Sequence, residues 1–352
     1  MLTELKAKEK FRIRKRTEEW QKRANYVTEA IASKDQNNLY ITSLFFKDSI
    51  KYKAFCAYYA VMRIVDDRVD NLLLTVYLDK KLIDRELKVI DAWEQVIILC
   101  HLGIFPTALQ LEACDFDEAR AVCESLIEAF QNIPTPIKLW KNFFDAMRSD
   151  IKADEFESWS DFLSYAEGTT VAPTTIYLLL IAVQHNDANN LYKLPKEFDL
   201  LKCGHYLGIF AYLGHIIRDL AEDIKYTTAR LCITREDMVQ HDITLEKLRN
   251  EVFMQEASSS TRNLVIEIIQ RARNYLLKGR TLTLQIQDFL ELDCRFILEL
   301  IIRMYEGIVA KIESTDFNPM GKRHYLITKE KINLVHSVAT DTGFSLPKWM
   351  SV

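Results

Sequence analysis

FCAYYAVMRIVDDRVD, residues 55–70, is an apolar helical run that carries three aspartates. Wound as a helix, Tyr59, Arg63, Asp66 and Asp70 fall at i, i+4, i+7 and i+11 and share one face. The positions around them, Ala57, Ala60, Val61, Met62, Ile64, Val65 and Val69, are apolar, so this face is expected to point into a protein interior. Two ionised carboxylates one turn apart in a core repel each other and lose hydration. A cation, or a pKa shift that neutralises one of them, makes the arrangement tolerable. Hard carboxylate oxygens without neighbouring Cys or His select Mg²⁺ over a softer metal. Taken alone, the same letters also describe a solvated helix face with an arginine partner.

A second stretch changes that balance. Residues 198–224 end in AYLGHIIRDLAEDI, which places Tyr212, His215, Asp219 and Asp223 at i, i+3, i+7 and i+11, with Arg218 beside the first carboxylate. This helix too is otherwise apolar. Surface helices normally alternate charge over the whole polar face, which two such copies do not. Two helices facing each other with aspartates inward make a cage for several Mg²⁺ ions, and the natural ligand of that cage is a diphosphate.

The totals narrow the alternatives. The chain has 352 residues, 49 % of them hydrophobic, with 9 glycines and 7 prolines, a composition that favours one continuous helical body. Neither GxGxxG nor GxxxxGK[ST] occurs, so phosphate binding must use metal and arginine. A net charge of -4 gives no electrostatic support to nucleic-acid binding. Seven scattered cysteines read as buried reduced thiols of a cytoplasmic protein. No signal peptide or run of eighteen uncharged apolar residues is visible, and the expectation is a soluble or peripheral protein.

Residues 1–36 form a basic N-terminal helix, with Lys6, Lys8, Lys10, Arg12, Arg14, Lys15, Arg16, Lys22 and Arg23. Its first reading is a solubilising helix, and its sharper one a peripheral contact with anionic lipid. Further amphipathic segments are expected at 81–101, 115–131, 137–152 and 158–182, a polar loop from His185 to Pro195, and helices through 243–312. The tail from 336 to 352 reads as less regular.

With both aspartate runs in hand, the chain resembles the squalene/phytoene synthase family of head-to-head isoprenoid synthases over about residues 39–331. YAVMRIVDDRVD (59–70) and RDLAED (218–223) resemble the two Asp-rich motifs, and LYITSLFF (39–46) the passage that opens the catalytic core. Asp150 followed by YAEGTTVA (165–172), the flap-like Arg230 to Glu236, and Tyr305 through Arg323 follow in the family's order. The resemblance implies an all-α, single-domain isoprenoid-synthase bundle around a deep central cavity, here residues 37–335. It implies Mg²⁺ at Asp66, Asp70, Asp219 and Asp223, and catalytic roles for Tyr59, Arg63, Tyr165, His215, Arg218 and Tyr305. Substrate contacts are expected from Tyr40, Ser43, Phe45, Phe46, Tyr212, Arg230 and Arg323. The partners it implies are farnesyl or geranylgeranyl diphosphate, with the protein a monomer or weak dimer. The reaction it implies has two steps. One diphosphate leaves, the second molecule's double bond attacks the allylic cation to give a cyclopropylcarbinyl diphosphate, and a second ionisation yields a 1-1′ linked product. NADPH has no fingerprint in the chain.

Three positions depart from the family pattern. His215 stands where the second motif usually has an Asn ligand, Tyr212 where a Gln is common, and Cys232 where the flap has a Tyr. Imidazole is a poorer Mg²⁺ ligand than an amide oxygen, and a His so placed would instead donate a proton or a hydrogen bond. Two alternatives therefore stand beside head-to-head condensation: a relative that ionises one prenyl diphosphate and passes it to a different acceptor, and a non-catalytic assembly-factor homologue.

Overall fold

The computed structural model describes residues 2–73, 79–152, 155–186, 191–225 and 231–350, with side chains from residue 18 onward. In chain order the helices are α1 (Leu2–Ser33), α2 (Asn38–Ser43), α3 (Ser49–Leu73), α4 (Lys80–His101), α5 (Ala108–Ala113), α6 (Ala119–Asn132), α7 (Ile137–Lys152) and α8 (Trp159–Ala166). A π-helical turn, Glu167–Val171, joins α8 to α9 (Ala172–Ala182). Then come α10 (Leu200–Lys225), α11 (Arg235–Gln240), α12 (Leu245–Met254), α13 (Ser259–Ile286), α14 (Leu292–Ser314) and α15 (Thr328–Thr342). The all-α expectation holds. The stretch expected to be a loop at 185–195 instead contains β1 (Gln184–Asn186) paired antiparallel with β2 (Leu191–Lys193).

Short polar residues start the helices where backbone N–H groups would otherwise lack acceptors. Asn37 accepts from the Tyr40 amide at 3.1 Å, Asp48 from Ile50 at 2.8 Å and Asp79 from Leu82 at 2.7 Å. Thr107 and Ser158 form reciprocal capping boxes with Gln110 and Asp161.

The core runs the length of the bundle. α9, APTTIYLLLIA, is apolar on every side and its residues from Thr175 to Ala182 are buried, as expected for a helix wrapped by others. α10 is long and apolar enough by length and composition to cross a membrane, and 61 % of that stretch is buried inside the fold. Close helix approach depends on two glycines. A Cβ on Gly168 would stand 2.0 Å from the Asn142 carbonyl oxygen on α7, and one on Gly204 would stand 2.0 Å from Thr175 Oγ1 on α9. The small residues of 165–172 thus serve helix packing.

The C-terminal region is more ordered than its sequence suggested. The boundary at 335 falls inside α15, whose Val335, Val338 and Ala339 are buried and whose end is closed by Gly343 at φ +71. Beyond it Phe344 stacks on Phe296 at 4.5 Å and Trp349 lies 5.3 Å from Phe45.

Candidate active site

A cavity of about 510 Å³ opens between α3, α7, α9, α10 and α14. Apolar side chains line most of it, among them Leu39, Met62, Phe143, Tyr177, Phe210, Leu298 and Ile301. Its polar lining gathers Asn37, Tyr59, Arg63, Asp66, Tyr212, His215, Arg218, Tyr305 and Lys331. A greasy enclosure with charge gathered among a few of its residues suits a ligand with an apolar tail and an ionic head.

Asp70 lies in the last turn of α3 and Asp223 in that of α10, with Asp66 and Asp219 one turn before them. Helix C-termini carry partial negative charge, so carboxylates there are disfavoured before any burial is counted. Burial raises the Asp66 pKa to about 7, helped by Asp70, Asp67 and Asp150 and opposed by Arg63. Burial also raises Asp70, with Asp67 adding to it. On the facing wall, burial raises Asp223 to about 7, with Asp219, Glu222 and Asp70 adding to it. Asp70 is the smallest of these contributions, and it puts the two acidic runs within electrostatic range of each other.

Asp219 is different. Burial works against its charge, but Arg218 donates to both carboxylate oxygens at 2.8 and 2.5 Å, and Arg323 Nε donates to Oδ1 at 2.7 Å. These two guanidiniums hold its pKa below the ordinary carboxylate value. Arg323 also reaches Glu222 at 3.4 Å. Across the cavity, Arg63 donates to Asp35 at 2.6 Å, pairs with Asp67, and stands 3.6 Å from Asp66. Asp67 takes a second cation, Lys34, at 3.1 Å. The middle aspartate of the first run is thus a structural ion-pair partner, while Asp66 faces the cavity.

Tyr59 stacks on Phe55 at 5.2 Å, accepts a hydrogen bond from Asn37, and interacts electrostatically with Arg63, Tyr305 and Asp66. Tyr305 packs against the His215 ring at 5.1 Å and its pKa is pushed up to about 12 by burial. Burial, then Arg218, brings His215 down to about 3, so the ring is neutral at any working pH. Of the two roles open to it, hydrogen bonding is the one this environment favours, since a proton donor at neutral pH needs an imidazolium.

The other expected positions divide. Tyr212 lines the cavity, stacked on Phe162 at 5.9 Å with its hydroxyl 3.2 Å from Cys232 Sγ. Tyr165 stands one ring further out, 6.4 Å from Tyr212 and 5.1 Å from Phe156, beside a neighbouring cleft. Tyr40, Ser43, Phe45 and Phe46 do not line the cavity. The first turn around α2 supplies Asn37, Asn38 and Leu39 instead. Tyr40 hydrogen-bonds Tyr52, and Ser43 donates to the Tyr40 carbonyl at 2.7 Å. Phe45 packs 4.9 Å from Phe296, and Phe46 6.3 Å from Tyr177. A six-residue helix turns its start toward the cavity and its end into the core under α14, which the run of aromatic letters does not reveal. Arg230 lies outside the described residues. Sequence reasoning missed Asn37, whose capping role was a usable signal, and Tyr177, Phe210 and Lys331, for which the chain offered none.

The four aspartates are all hard oxygen donors on two opposed walls, which fits Mg²⁺. Mg²⁺ commonly takes one or two carboxylates and completes its shell with water and substrate phosphate, so the walls need not converge on one point. Among the described residues the acidic group whose ligand atoms do gather within 4.8 Å is Glu291, Asp293 and Cys294. That group already has its cation. The fully buried Lys51 ammonium lies 3.0 Å from Glu291 and 3.2 Å from Cys294 Sγ, and Asp293 accepts from the Lys47 amide at 2.7 Å.

A family model described as squalene/phytoene synthase matches residues 32–331. A chloroplastic phytoene synthase of an Oncidium hybrid cultivar is 22 % identical over 213 residues, 60 % of this chain and 47 % of that protein. The 4,4'-diapophytoene synthase of Staphylococcus haemolyticus is 22 % identical over 266 residues, 76 % of this chain and 79 % of that one. The chain spans about half the length of the plant relatives it matches. In fold, it superposes on a dehydrosqualene synthase crystallised with a ligand at a TM-score of 0.70, 18 % identity, and coverage of 93 % and 99 % of the two chains. The squalene synthase HpnC from Alicyclobacillus acidocaldarius gives a TM-score of 0.64 at 17 % identity, with 85 % and 96 % covered.

Proposed function

The chain belongs to the squalene/phytoene synthase family, and from that premise we propose that it is a Mg²⁺-dependent prenyltransferase joining two allylic prenyl diphosphates head to head. The observation that carries this reading is the pair of facing acidic walls, Asp66 with Asp70 and Asp219 with Asp223, beside an apolar cavity.

Asp66, Asp70, Asp219 and Asp223 would hold the metal. Bound Mg²⁺ supplies positive charge that stabilises a departing diphosphate. The chain's own cations add to it. Arg63 and Arg218 line the cavity, and Arg323 sits just outside against Asp219, placed to neutralise a leaving group in a water-poor site. Tyr59, Tyr212, Tyr305 and Tyr177 present aromatic faces to an allylic cation without offering a strong nucleophile. Their raised pKa values keep the phenols protonated, which protects the cation from capture. The apolar lining excludes water that would quench it to an alcohol. In this reading the second molecule's double bond attacks the cation, loss of a proton to the departed diphosphate closes a cyclopropylcarbinyl diphosphate, and a second ionisation, rearrangement and loss of a proton, or uptake of hydride from NADPH, gives the 1-1′ linked hydrocarbon.

A second reading, transfer of one prenyl cation to a different acceptor, is favoured by the neutral imidazole of His215 in place of an oxygen ligand. The two are separated by incubating the protein with Mg²⁺ and farnesyl or geranylgeranyl diphosphate, with and without NADPH, and weighing the hexane extract. A C30 or C40 hydrocarbon is expected. Diphosphate consumption without such a product would select the second reading, and no consumption would refute both.

A further inference from the structure

Far from the aspartate walls in the chain, α12 buries Leu248 and Glu251, three residues apart on one face. An apolar side chain is the ordinary occupant of such a face. Glu251 puts a carboxylate there instead. It is 8 % exposed, and neither of its carboxylate oxygens meets solvent or, among the described residues, a hydrogen-bond donor. The charged groups nearby are committed elsewhere. Glu256 accepts from Arg262 and, at 3.1 Å, from Asn318, while the Lys247 ammonium donates to the Asp242 carbonyl at 3.0 Å. A buried carboxylate without a donor destabilises the fold until a cation reaches it.

Two other buried carboxylates of this chain show what satisfies one. Arg271 donates to both oxygens of Asp237, at 3.1 and 2.7 Å, and Arg68 donates to both oxygens of Glu86. Each is held by a guanidinium fork, and Glu251 has none of its own.

Glu251 forms part of the wall of a cleft of about 610 Å³ at the bend between α12 and α13, and none of the residues lining this cleft borders the central cavity. Glu246 and Glu256 line it too, so its field attracts cations. Chelation of a metal is a poor fit. A metal needs several oxygens at one point, and these three carboxylates do not gather within 4.8 Å of one another. Met254, in the same wall, is 70 % exposed and unbranched, a side chain that re-packs readily to uncover what lies beneath it. Beside it Phe253 is 86 % exposed, so two consecutive large apolar residues stand in water next to the unsatisfied acid.

We infer that this cleft docks a partner protein through an arginine, whose guanidinium forks onto the two oxygens of Glu251 while apolar residues flanking that arginine cover Met254 and Phe253. A planar fork matches two vacant oxygens on one carboxylate, which the point charge of a lysine does not. Glu246 and Glu256 favour a segment that carries no acidic residue of its own.

The test follows the methyl resonance of Met254 in the full chain labelled with ¹³C-methyl methionine, assigned by Met254→Leu. The probe is acetyl-Leu-Arg-Leu-amide. Acetyl-Leu-citrulline-Leu-amide keeps its shape without the charge, and acetyl-arginine-amide keeps the charge without the apolar flanks. The arginine tripeptide is expected to shift the resonance saturably, and the citrulline peptide to bind about tenfold or more weakly. Glu251→Gln is expected to weaken the arginine tripeptide by a similar factor and to melt no lower than the wild type, since the fold gives the charge no partner to lose. Equal affinity in wild type and Glu251→Gln would overturn the assignment, as would a wild type whose Met254 signal shows no saturable shift. A clear drop in the melting temperature of Glu251→Gln would make the carboxylate a structural group and overturn it as well. Equal affinity for acetyl-arginine-amide and the tripeptide would overturn the protein partner in favour of a free guanidinium compound.

Discussion

Asp70 on α3 pushes up the pKa of Asp223 on α10, two carboxylates from distant parts of the chain brought face to face at helix C-termini. Arg63 and Arg323 offset only part of these upward shifts, in contrast to Asp219, which two arginines hold by direct hydrogen bonds. An arrangement that costs the folded protein free energy in this way is one that a divalent ion relieves. The remaining expectations follow from that relationship.

The first concerns protons. Asp66 and Asp223 both titrate near 7, so part of each is protonated in the metal-free protein at neutral pH. Metal must displace those protons, and Mg²⁺ binding just below neutrality should release up to about two per protein. Calorimetry in buffers of different ionisation enthalpy measures this number. Asp66→Asn and Asp223→Asn should each reduce it, and no release in wild type would mean the metal lies elsewhere.

Stability should follow the same groups. An unfolded aspartate titrates near ~3.9, below the folded values, so the folded state binds more protons between those limits. The contribution of Asp66 and Asp223 is fully present below the unfolded value and is lost as pH rises through about 7. Thermal melts of the metal-free protein should therefore decline as pH rises from about 4 to about 7, relative to Asp66→Asn, and level off above that. Mg²⁺ should remove much of the decline.

His215 offers a test of the second wall. Its neutral ring stands beside Tyr305 where an amide oxygen would serve a hard cation better. His215→Asn is expected to lower the Mg²⁺ concentration needed for half-maximal diphosphate release by about tenfold. An unchanged or weakened metal requirement would show that the imidazole is not standing in for a ligand.

The helix packing behind the cavity makes a separate prediction. A methyl group at Gly168 would collide with the Asn142 carbonyl oxygen of α7, and backbone yields less readily than a side-chain tip. Gly168→Ala should destabilise the fold by about 1–3 kcal/mol in denaturant titration. A neutral result would mean that α7 and the π-helical turn shift apart freely.

What the sequence made legible was the part governed by local spacing. The i, i+4 repetition of Asp66 and Asp70, and of Asp219 and Asp223, needs nothing but helix geometry to place each pair on one face. Tyr59, Arg63, His215 and Arg218 came with them because they lie on those same helices, while Tyr305, on α14, came from the family resemblance and packs on His215. Phe45 and Phe46 misled because aromatic residues serve a core as readily as a cavity, and the six-residue α2 turns them toward Phe296 and Tyr177. Lys331 was illegible because its place depends on Leu326 fitting against Gly307 and Arg323 reaching Asp219, contacts that no local pattern encodes. α15 was hidden for a related reason. Only three of its residues are buried, so its apolar periodicity is faint.

The most direct measurement is Mg²⁺-dependent diphosphate release from farnesyl diphosphate by wild type, Asp66→Asn and Asp219→Asn, one substitution on each wall. The account predicts release by the wild type and a loss of about 10²–10³-fold in each variant with the fold intact. Rates close to wild type in both variants would contradict it.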